Sequence, residues 1–374
     1  MKRWLLRLHR WSGLLIAALV VIVGSTGALT TYQHEVDGWL NRDLLRVVDP
    51  GPRGQPRRAL ALDQVVAAAE ANLPGMRTTG VRLPQSRRES VEVSVAPFDA
   101  NDFTGSYVYV EPWLGTVLGS RPFDPDPWSR RGVVASLYEV HYSLAASRLG
   151  VWLVSAIAAV WLVTILFGLV LAWPRSWEAL RRTFRVRTGG VIQFHHDLHR
   201  LTGLLAAPFL LVVLATGVAL NLSPQATGVV QRFSPLTFEP ALPARAPAKV
   251  GAEVGWQAAL DAAAAAQPAA RPYSLYRDDA RNVYVVRMRE AGAIHRRGQT
   301  RAYIAMDDGS VLAIWNPRQG SVGDRLWGWQ NPLHSGHAFG ATGRLLVFLS
   351  GLAAMMFVFT GVPLWFARRP ARQR

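Results

Sequence analysis

Two histidines occur in nearly identical octapeptides, and imidazole is a common ligand of metals and haem iron. Residues 8–15 read LHRWSGLL and residues 198–205 read LHRLTGLL, so that His9 and His199 each stand at the start of a long apolar run. Gly13 and Gly203 follow four residues later, and positions i and i+4 share one face of a helix. Each copy therefore places an imidazole and a bare glycine surface on the same side of a predicted helix.

Four apolar runs are long enough to cross a lipid bilayer, which takes roughly 20 helical residues. In a chain that is 50% hydrophobic, they cover residues 11–32, 151–173, 201–222 and 345–366. The first run resembles a signal peptide, but it is too long for one and lacks a convincing small-residue cleavage site. The pattern predicts four transmembrane helices, the first of them retained.

Arginines cluster in three segments of this 374-residue chain, whose formal net charge is +16. The clusters lie near the N-terminus, in residues 175–187 and in residues 368–374. The positive-inside rule places these segments in the cytoplasm and the two long connections on the other side of the membrane. No stripe of basic and aromatic residues predicts nucleic-acid binding. The absence of cysteine excludes disulfides, cysteine-ligated iron–sulfur clusters and haem attachment through C-x-x-C-H.

The two long connections have the same order of predicted elements. The first begins with a proline-rich linker at residues 49–58 and continues with a helix at 62–72, a strand at 90–97 and a hairpin at 106–119. The second has a helix at 256–266, a strand at 282–288 and a hairpin at 301–316 that turns at Asp308-Gly309. The sequence therefore predicts two α+β modules.

The similarity between the two halves recurs at a nearly fixed offset. Gly27 returns as Gly217 after 190 residues, and His141 returns as His334 after 193 residues. Internal similarity of this kind indicates a duplication. Since each half has two spans and starts in the cytoplasm, the halves form a parallel repeat around a pseudo-two-fold axis along the membrane normal.

Equivalent residues face each other across such an axis, which pairs His9 with His199 near the cytoplasmic side. The same axis pairs His141 with His334 near the outer side. Two facing imidazoles in a helical bundle are what a six-coordinate b-type haem requires. We therefore predict two b haems, stacked across the bilayer as an electron path.

Four further residues are expected at the cytoplasmic haem. Gly13 and Gly203 would leave room for the macrocycle, and Arg10 and Arg200 could bind its propionates through charge-assisted hydrogen bonds. No G-x-G-x-x-G followed by a ribose-binding acid occurs, so the chain shows no nicotinamide or flavin site of its own. The electron donor is expected to be a quinol or a separate reductase.

The other histidines leave alternatives open, since a histidine at a helix end is also common at a membrane interface without any ligand. His34, at the outer end of the first span, has no histidine equivalent in the repeat but is an alternative outer ligand. His337 is a candidate propionate partner or substitute ligand. His195, His196 and His199 form H-H-x-x-H, which could hold zinc, although no carboxylate or cysteine is predicted to complete the set.

With these motifs, the chain resembles the PepSY-associated transmembrane family, and within it the inner-membrane ferric-siderophore reductases of the FoxB type. The resemblance rests on H-R-W-x-G-L from His9 to Leu14, its copy from residue 199 to 204, and L-H-x-G from Leu333 to Gly336. It covers nearly the whole chain, including modules that end in V-x-P-x-x-G-x-V-L (110–118) and D-D-G-S-V-L (307–312). Helix two departs from the L-H-x-G pattern and reads V-H-Y-S.

The resemblance implies an integral membrane α-helical protein, with a four-helix bundle from two parallel repeats and two periplasmic PepSY-like α+β modules. The predicted segments are residues 1–36 (first span), 37–128 (first module), 129–174 (second span), 175–197 (cytoplasmic connection), 198–222 (third span), 223–322 (second module) and 323–374 (fourth span and cytoplasmic tail).

The function implied by this resemblance is reduction of a ferric hydroxamate-type siderophore in the periplasm. Hydroxamate oxygens are hard ligands that suit Fe(III), so reduction to Fe(II) weakens the complex and releases iron. Two other classes of protein fit the same pattern. One is a permease component for siderophores or peptides, and the other is a non-enzymatic membrane protein that binds or senses a ligand.

Overall fold

A computed structural model describes residues 2–48, 58–97, 104–243 and 253–367. The predicted linker at residues 49–58 lies almost entirely outside this part of the chain, and so do the C-terminal arginines of residues 368–374. The α-helices are α1 (Lys2–Thr30), α2 (Gln33–Leu40), α3 (Arg42–Leu45), α4 (Leu62–Asn72), α5 (Val133–Ser143), α6 (Ser147–Ala172), α7 (Trp177–Thr183), α8 (Val191–Asn221), α9 (Ser223–Gln231), α10 (Trp256–Ala266), α11 (Val322–His334) and α12 (Gly340–Ala367).

Four of these helices, α1, α6, α8 and α12, are long and apolar enough to cross a membrane. A short 3-10 turn at His337–Phe339 leads directly into α12. The predicted four spans are therefore confirmed, although α1 and α8 each begin about nine residues earlier than the apolar runs, so His9 and His199 lie inside helices. Pro208 and Pro363 lie within α8 and α12 without ending them.

The four spans pack as a bundle in which α1 and α8 each contact both α6 and α12. Its buried core includes Ile16, Trp161 and Leu210. Small residues bring α1 and α12 together, since a Cβ added at Gly24 would lie 2.6 Å from the Cβ of Ala354. Close approach of this kind is how helices associate where water provides no hydrophobic driving force.

The strands of the described residues form one antiparallel sheet of eight strands in the order β4-β3-β2-β1-β5-β6-β7-β8. These strands are β1 (Met76–Arg82), β2 (Val91–Pro97), β3 (Ser106–Val110), β4 (Val117–Pro122), β5 (Ala270–Asp278), β6 (Val283–Glu290), β7 (Thr300–Ala305) and β8 (Val311–Trp315). The two predicted modules are thus halves of one sheet, because β1 pairs with β5 through Gly80–Tyr276, Val81–Leu275 and Arg82–Ser274.

The helices α4 and α10 cover the same face of this sheet. Val66 and Ala69 of α4 and Ala259 of α10 share one buried core with Val93 of β2 and Val286 of β6. The contacts of the chain divide it into a helical unit and a sheet unit, and the sheet unit takes residues 34–133 and 233–328. The modules predicted from the sequence are residues 37–128 and 223–322.

Candidate functional site

The first histidine pair lies between α1 and α8. The ring centres of His9 and His199 are 6.1 Å apart, and the two ring planes are inclined by 77°. An imidazole nitrogen binds a metal at about 2 Å, and the ring centre lies roughly 1 Å behind that nitrogen, so two axial imidazoles have ring centres roughly 6 Å apart. The pair therefore has the spacing of two ligands on opposite sides of one metal ion.

The second pair has the same spacing and comes from the short helices that precede two of the spans. His141 near the end of α5 and His334 at the end of α11 have ring centres 6.2 Å apart, with planes inclined by 42°. After His334 the chain turns through Gly336 at φ 77°, whereas after His141 the left-handed positions are Leu144 and Ala145, both at φ 53°. The departure from L-H-x-G thus changes the residues of the turn, while the spacing of the rings is kept.

All four imidazoles have a hydrogen-bond partner for Nδ1 on a neighbouring helix. Nδ1 lies 2.9 Å from the carbonyl oxygen of Thr164 in His9, 3.0 Å from that of Val23 in His141, and 2.9 Å from that of Val213 in His334. Because a carbonyl can only accept, each Nδ1 donates its proton, and the neutral ring keeps a lone pair on Nε2 for a metal.

In His199 the acceptor for the Nδ1 proton is a side chain instead of a backbone carbonyl. Its Nδ1 lies 2.8 Å from the Oγ1 atom of Thr360, and this hydroxyl donates to the carbonyl of Met356 at 2.6 Å. Because the proton of the hydroxyl is used in that bond, Oγ1 accepts from the Nδ1 of His199. The four rings are therefore oriented alike, each with the tautomer that suits a metal ligand.

A glycine on a neighbouring helix lies against the Cε1 atom of every one of these rings. An added Cβ would lie 2.7 Å from Cε1 of His141 at Gly27, and 2.9 Å from Cε1 of His334 at Gly217. The corresponding distances are 3.0 Å between Gly168 and His9, and 3.3 Å between Gly361 and His199. These glycines are related by the repeat, so the same cradle is built four times.

Gly13 and Gly203 have a different role from these four. Their nearest side-chain atoms would be 4.0 Å and 3.9 Å from an added Cβ, and both glycines line an open cavity at the first histidine pair. The cavity has a volume of about 570 Å³, which lies within the range of cofactor pockets, roughly 300–1,000 Å³. Its walls are mostly apolar and include Trp161, Ile165 and Phe357.

The charged side chains at this cavity are all basic within the described part of the chain. Lys2, Arg10, Arg175 and Arg200 line it, and no carboxylate does. Arg10 donates to the carbonyl of Trp365 at 3.2 Å, while the Nε atom of Arg200 is buried without a hydrogen-bond partner among the described residues. An anionic group of a ligand would satisfy this buried donor.

The remaining histidines are not brought into either pair. His34 lies on α2 and is exposed, and His337 contacts the Oγ atom of Ser335 at 3.0 Å. His195 packs against Phe359, and His196 lies beside Asp197. The described residues contain no group of three or more potential ligands that could hold a metal ion, so the H-H-x-x-H alternative for zinc gains no support.

Sequence reasoning assigned clearance to Gly13 and Gly203 but missed the four glycines behind the rings and the hydroxyl of Thr360. Gly27 and Gly217 had already appeared as repeat equivalents, and that equivalence was the available signal. Backbone carbonyls carry no side-chain signature, so the partners of Nδ1 in the other three rings could not be recognised before the helices were placed.

Four spans, one antiparallel sheet and two close histidine pairs define a multi-pass helical membrane protein. The family model of the PepSY-associated TM region matches residues 6–368. The chain therefore belongs to the PepSY-associated transmembrane family. No curated protein gives a significant match to the sequence.

Proposed function

We propose that this protein is a di-haem b reductase of the bacterial inner membrane, similar to the FoxB type, which reduces a ferric siderophore in the periplasm. One observation carries the proposal: two histidine pairs have ring centres 6.1 Å and 6.2 Å apart, and every Nδ1 is hydrogen-bonded. A histidine placed at an interface for its amphipathic character has no reason to adopt this arrangement twice.

The residues would divide the work as follows. The Nε2 atoms of His9 and His199 would hold one iron, and those of His141 and His334 the other. When bound, haem b would supply reversible one-electron chemistry. The Nδ1 hydrogen bonds fix the orientation of the rings and raise their basicity as ligands.

The cationic end of the cavity supports an assignment for the haem propionates. Arg10 and Arg200 would bind them, because both line the cavity beside the first histidine pair. With the N- and C-termini in the cytoplasm, as the positive-inside rule indicates, electrons would enter at this end from a quinol or a separate reductase. They would leave at the His141–His334 end.

Reduction would consume one electron for each Fe(III) and leave the chelating groups of the siderophore unchanged. Hard oxygen ligands bind Fe(II) less tightly than Fe(III), so the electron alone weakens the complex. The chain then needs no acid, base or nucleophile for this step. A hydroxamate siderophore is the substrate class that the family resemblance implies.

A permease component with the same repeat symmetry predicts spans broken near their midpoints around polar groups. α8 continues through Pro208, and the charged residues of α8 and α12 lie near their ends. A non-enzymatic sensor gives no reason for four glycine cradles behind four histidines. These observations favour the electron-transfer proposal over both alternatives.

The test is anaerobic reoxidation of the purified, dithionite-reduced protein by a ferric trihydroxamate, followed by the loss of the reduced haem absorbance. We expect one equivalent of Fe(II), trapped by a ferrous chelator, for every haem oxidised. His141→Ala should slow the reaction strongly while the inner haem remains. A reduced protein with both haems that does not react with any ferric chelate would contradict the proposed reductase function.

A further inference from the structure

The face of the sheet away from α4 and α10 is crossed by a row of directly opposed residues. In strand order the row contains Tyr109, Glu92, Arg82, Ser274, Arg287, Arg301 and Trp315. Directly opposed residues of neighbouring strands share a face. The alternate residues Val286 and Ala302 lie in the core with α4 and α10, which places the row on the opposite face.

Charge is balanced in one half of this row. Arg82 forms two hydrogen bonds with Glu92, at 3.1 Å and 2.7 Å. Tyr109 accepts a hydrogen bond from Arg121 at 2.7 Å, and Arg121 is in turn paired with Asp37 at 3.0 Å. Every cation in this half therefore has a carboxylate beside it.

In the other half, Arg287 has no carboxylate partner among the described residues. Arg287 and Arg301 are directly opposed on β6 and β7, and like charges in such positions are destabilising. Arg301 is anchored, since it donates to the carbonyl of Phe238 at 3.4 Å and its guanidinium lies 5.1 Å from the ring centre of Trp315. It also lies 4.0 Å from a carboxylate oxygen of the half-exposed Glu239. Arg287 is half-buried and forms no ion pair or hydrogen bond through its side chain within the described residues.

More positive charge surrounds Arg287. On the same face, Arg271 and Arg289 are directly opposed in the adjacent position of β5 and β6, and both are exposed. Arg297, on the connection between β6 and β7, lies near this part of β6, because the next residue, Gly298, packs directly against the backbone of Met288 and Arg289. Burial, and then the charges of Arg301 and Arg297, lower the pKa of Arg287 from its ordinary value, which is a measure of this repulsion.

From this arrangement we infer an anion-binding site, centred on Arg287 with Arg297 and Arg301, that takes a ferric chelate carrying free carboxylates. A planar guanidinium binds a carboxylate through two parallel hydrogen bonds, so a multiply charged carboxylate would offset the repulsion among the arginines. The inference rests on the proposed function and implies that, among the ferric chelates that the protein reduces, those with net negative charge bind most tightly. Hydroxamate siderophores that also carry carboxylates belong to this class.

The test measures binding of gallium(III) citrate to the full chain in detergent by calorimetry, because gallium(III) copies the charge and size of Fe(III) but is not reduced. We expect Arg287→Gln to weaken binding at least about 10-fold, the usual effect of losing a hydrogen bond between charged groups. The matched control is Arg42→Gln, which removes an exposed arginine from α3 beside the far edge strand β4. It should change binding less than about 2-fold.

One further variant and two further ligands keep the test decisive. Arg297→Gln changes an exposed residue of a connection and should also weaken binding, even if Arg287→Gln folds poorly. The gallium(III) complex of a trihydroxamate without carboxylates should bind weakly and equally to all variants. Equal weakening by Arg42→Gln and Arg287→Gln, equally tight binding of metal-free citrate, or no binding to the unaltered protein would overturn the inference.

Because gallium(III) is not reduced, the site and the proposed reductase function fail separately. A protein that lacks haem but binds gallium(III) citrate through Arg287 would contradict the reductase proposal and retain the site. A protein whose haems are oxidised by ferric trihydroxamates but which does not bind gallium(III) citrate would contradict the site alone.

Discussion

Replacing Gly27 with alanine tests whether the glycine behind an imidazole is needed to hold that ring. An added Cβ would lie 2.7 Å from Cε1 and 3.1 Å from Nδ1 of His141. Non-bonded carbon atoms approach to about 3.5–4.0 Å, so the methyl group overlaps the ring by about 1 Å. The ring must move by that distance, which breaks the hydrogen bond from Nδ1 to the carbonyl of Val23.

The size of the effect follows from these contacts. Overpacking costs about 1–3 kcal/mol, the lost hydrogen bond about 1 kcal/mol, and alanine returns up to about 1 kcal/mol of helix propensity. We expect a net loss of about 1–3 kcal/mol in the free energy of haem binding at the second pair, His141 and His334. This corresponds to a loss of about 5- to 150-fold in affinity. The first pair, His9 and His199, does not contact Gly27, so haem binding there should be unaffected.

The assay is haem retention at each centre, measured by absorption and by the low-spin signal in electron paramagnetic resonance. The overlap is smaller at the equivalent positions, so the loss should decrease in the order Gly27→Ala, Gly217→Ala, Gly168→Ala and Gly361→Ala. Gly228→Ala on α9 is the control, because nothing lies within 4 Å of its added Cβ. Loss of both centres together, or the same retention in Gly27→Ala and Gly228→Ala, would refute this reasoning.

Three further predictions address other parts of the molecule. Thr360→Val removes the acceptor for Nδ1 of His199 and should lower haem affinity at the His9–His199 pair about 10- to 100-fold. Thr360→Ser should restore the affinity. An unchanged spectrum and affinity in Thr360→Val would argue against the hydrogen bond. Arg200→Gln should accelerate loss of the inner haem to apomyoglobin, whereas exposed Arg185→Gln should not, because only Arg200 lines the cavity. Burial raises the pKa of Glu92, but Arg82 and Tyr109 outweigh it and hold the pKa below its usual value. Glu92→Gln should therefore destabilise the sheet by about 3 kcal/mol at pH 7, as measured by denaturant unfolding. The difference from the unaltered protein should shrink below about pH 4.3, since a lowered pKa stabilises the folded state above that pH and the contribution is lost as the carboxylate is protonated.

Regular patterns in the sequence predicted the strongest elements of the fold. The predicted helices at residues 62–72 and 256–266 coincide with α4 and α10, because alanines and apolar residues recur there at helical spacing. The strands β1 and β5 were missed. Each is interrupted by a bulge, near Gly80 and Pro272, which shifts the alternation of side chains from one face to the other.

The join between the two halves of the sheet could not be predicted for a second reason. β1 and β5 are nearly 200 residues apart, and their pairing comprises three directly opposed residue pairs. A short antiparallel pairing between distant strands leaves no periodicity in either strand that identifies its partner. The internal repeat predicted two similar modules, but similarity alone does not distinguish two separate sheets from one continuous sheet.

The histidine pairs were predictable because equivalent residues of two parallel repeats face each other across the pseudo-two-fold axis. His9 and His199 stand in matching octapeptides, and His141 and His334 align with offsets near 190 residues. The distance between rings and the state of each Nδ1 depend on how neighbouring helices pack. In three rings the acceptor for Nδ1 is a backbone carbonyl, that of Val23, Thr164 or Val213, whose side chain has no part in the hydrogen bond. In His199 the acceptor is the hydroxyl of Thr360.

The most direct test of the central claim, that the two histidine pairs hold two b haems, is a reduced-minus-oxidised absorption spectrum of the purified full chain, combined with a pyridine haemochrome count. We predict two haems per chain with Soret and α bands that dithionite reveals. His9→Ala and His199→Ala should each remove one centre, and His141→Ala and His334→Ala the other. A protein without a dithionite-reducible Soret and α band, or one whose two centres survive all four substitutions, would contradict the account.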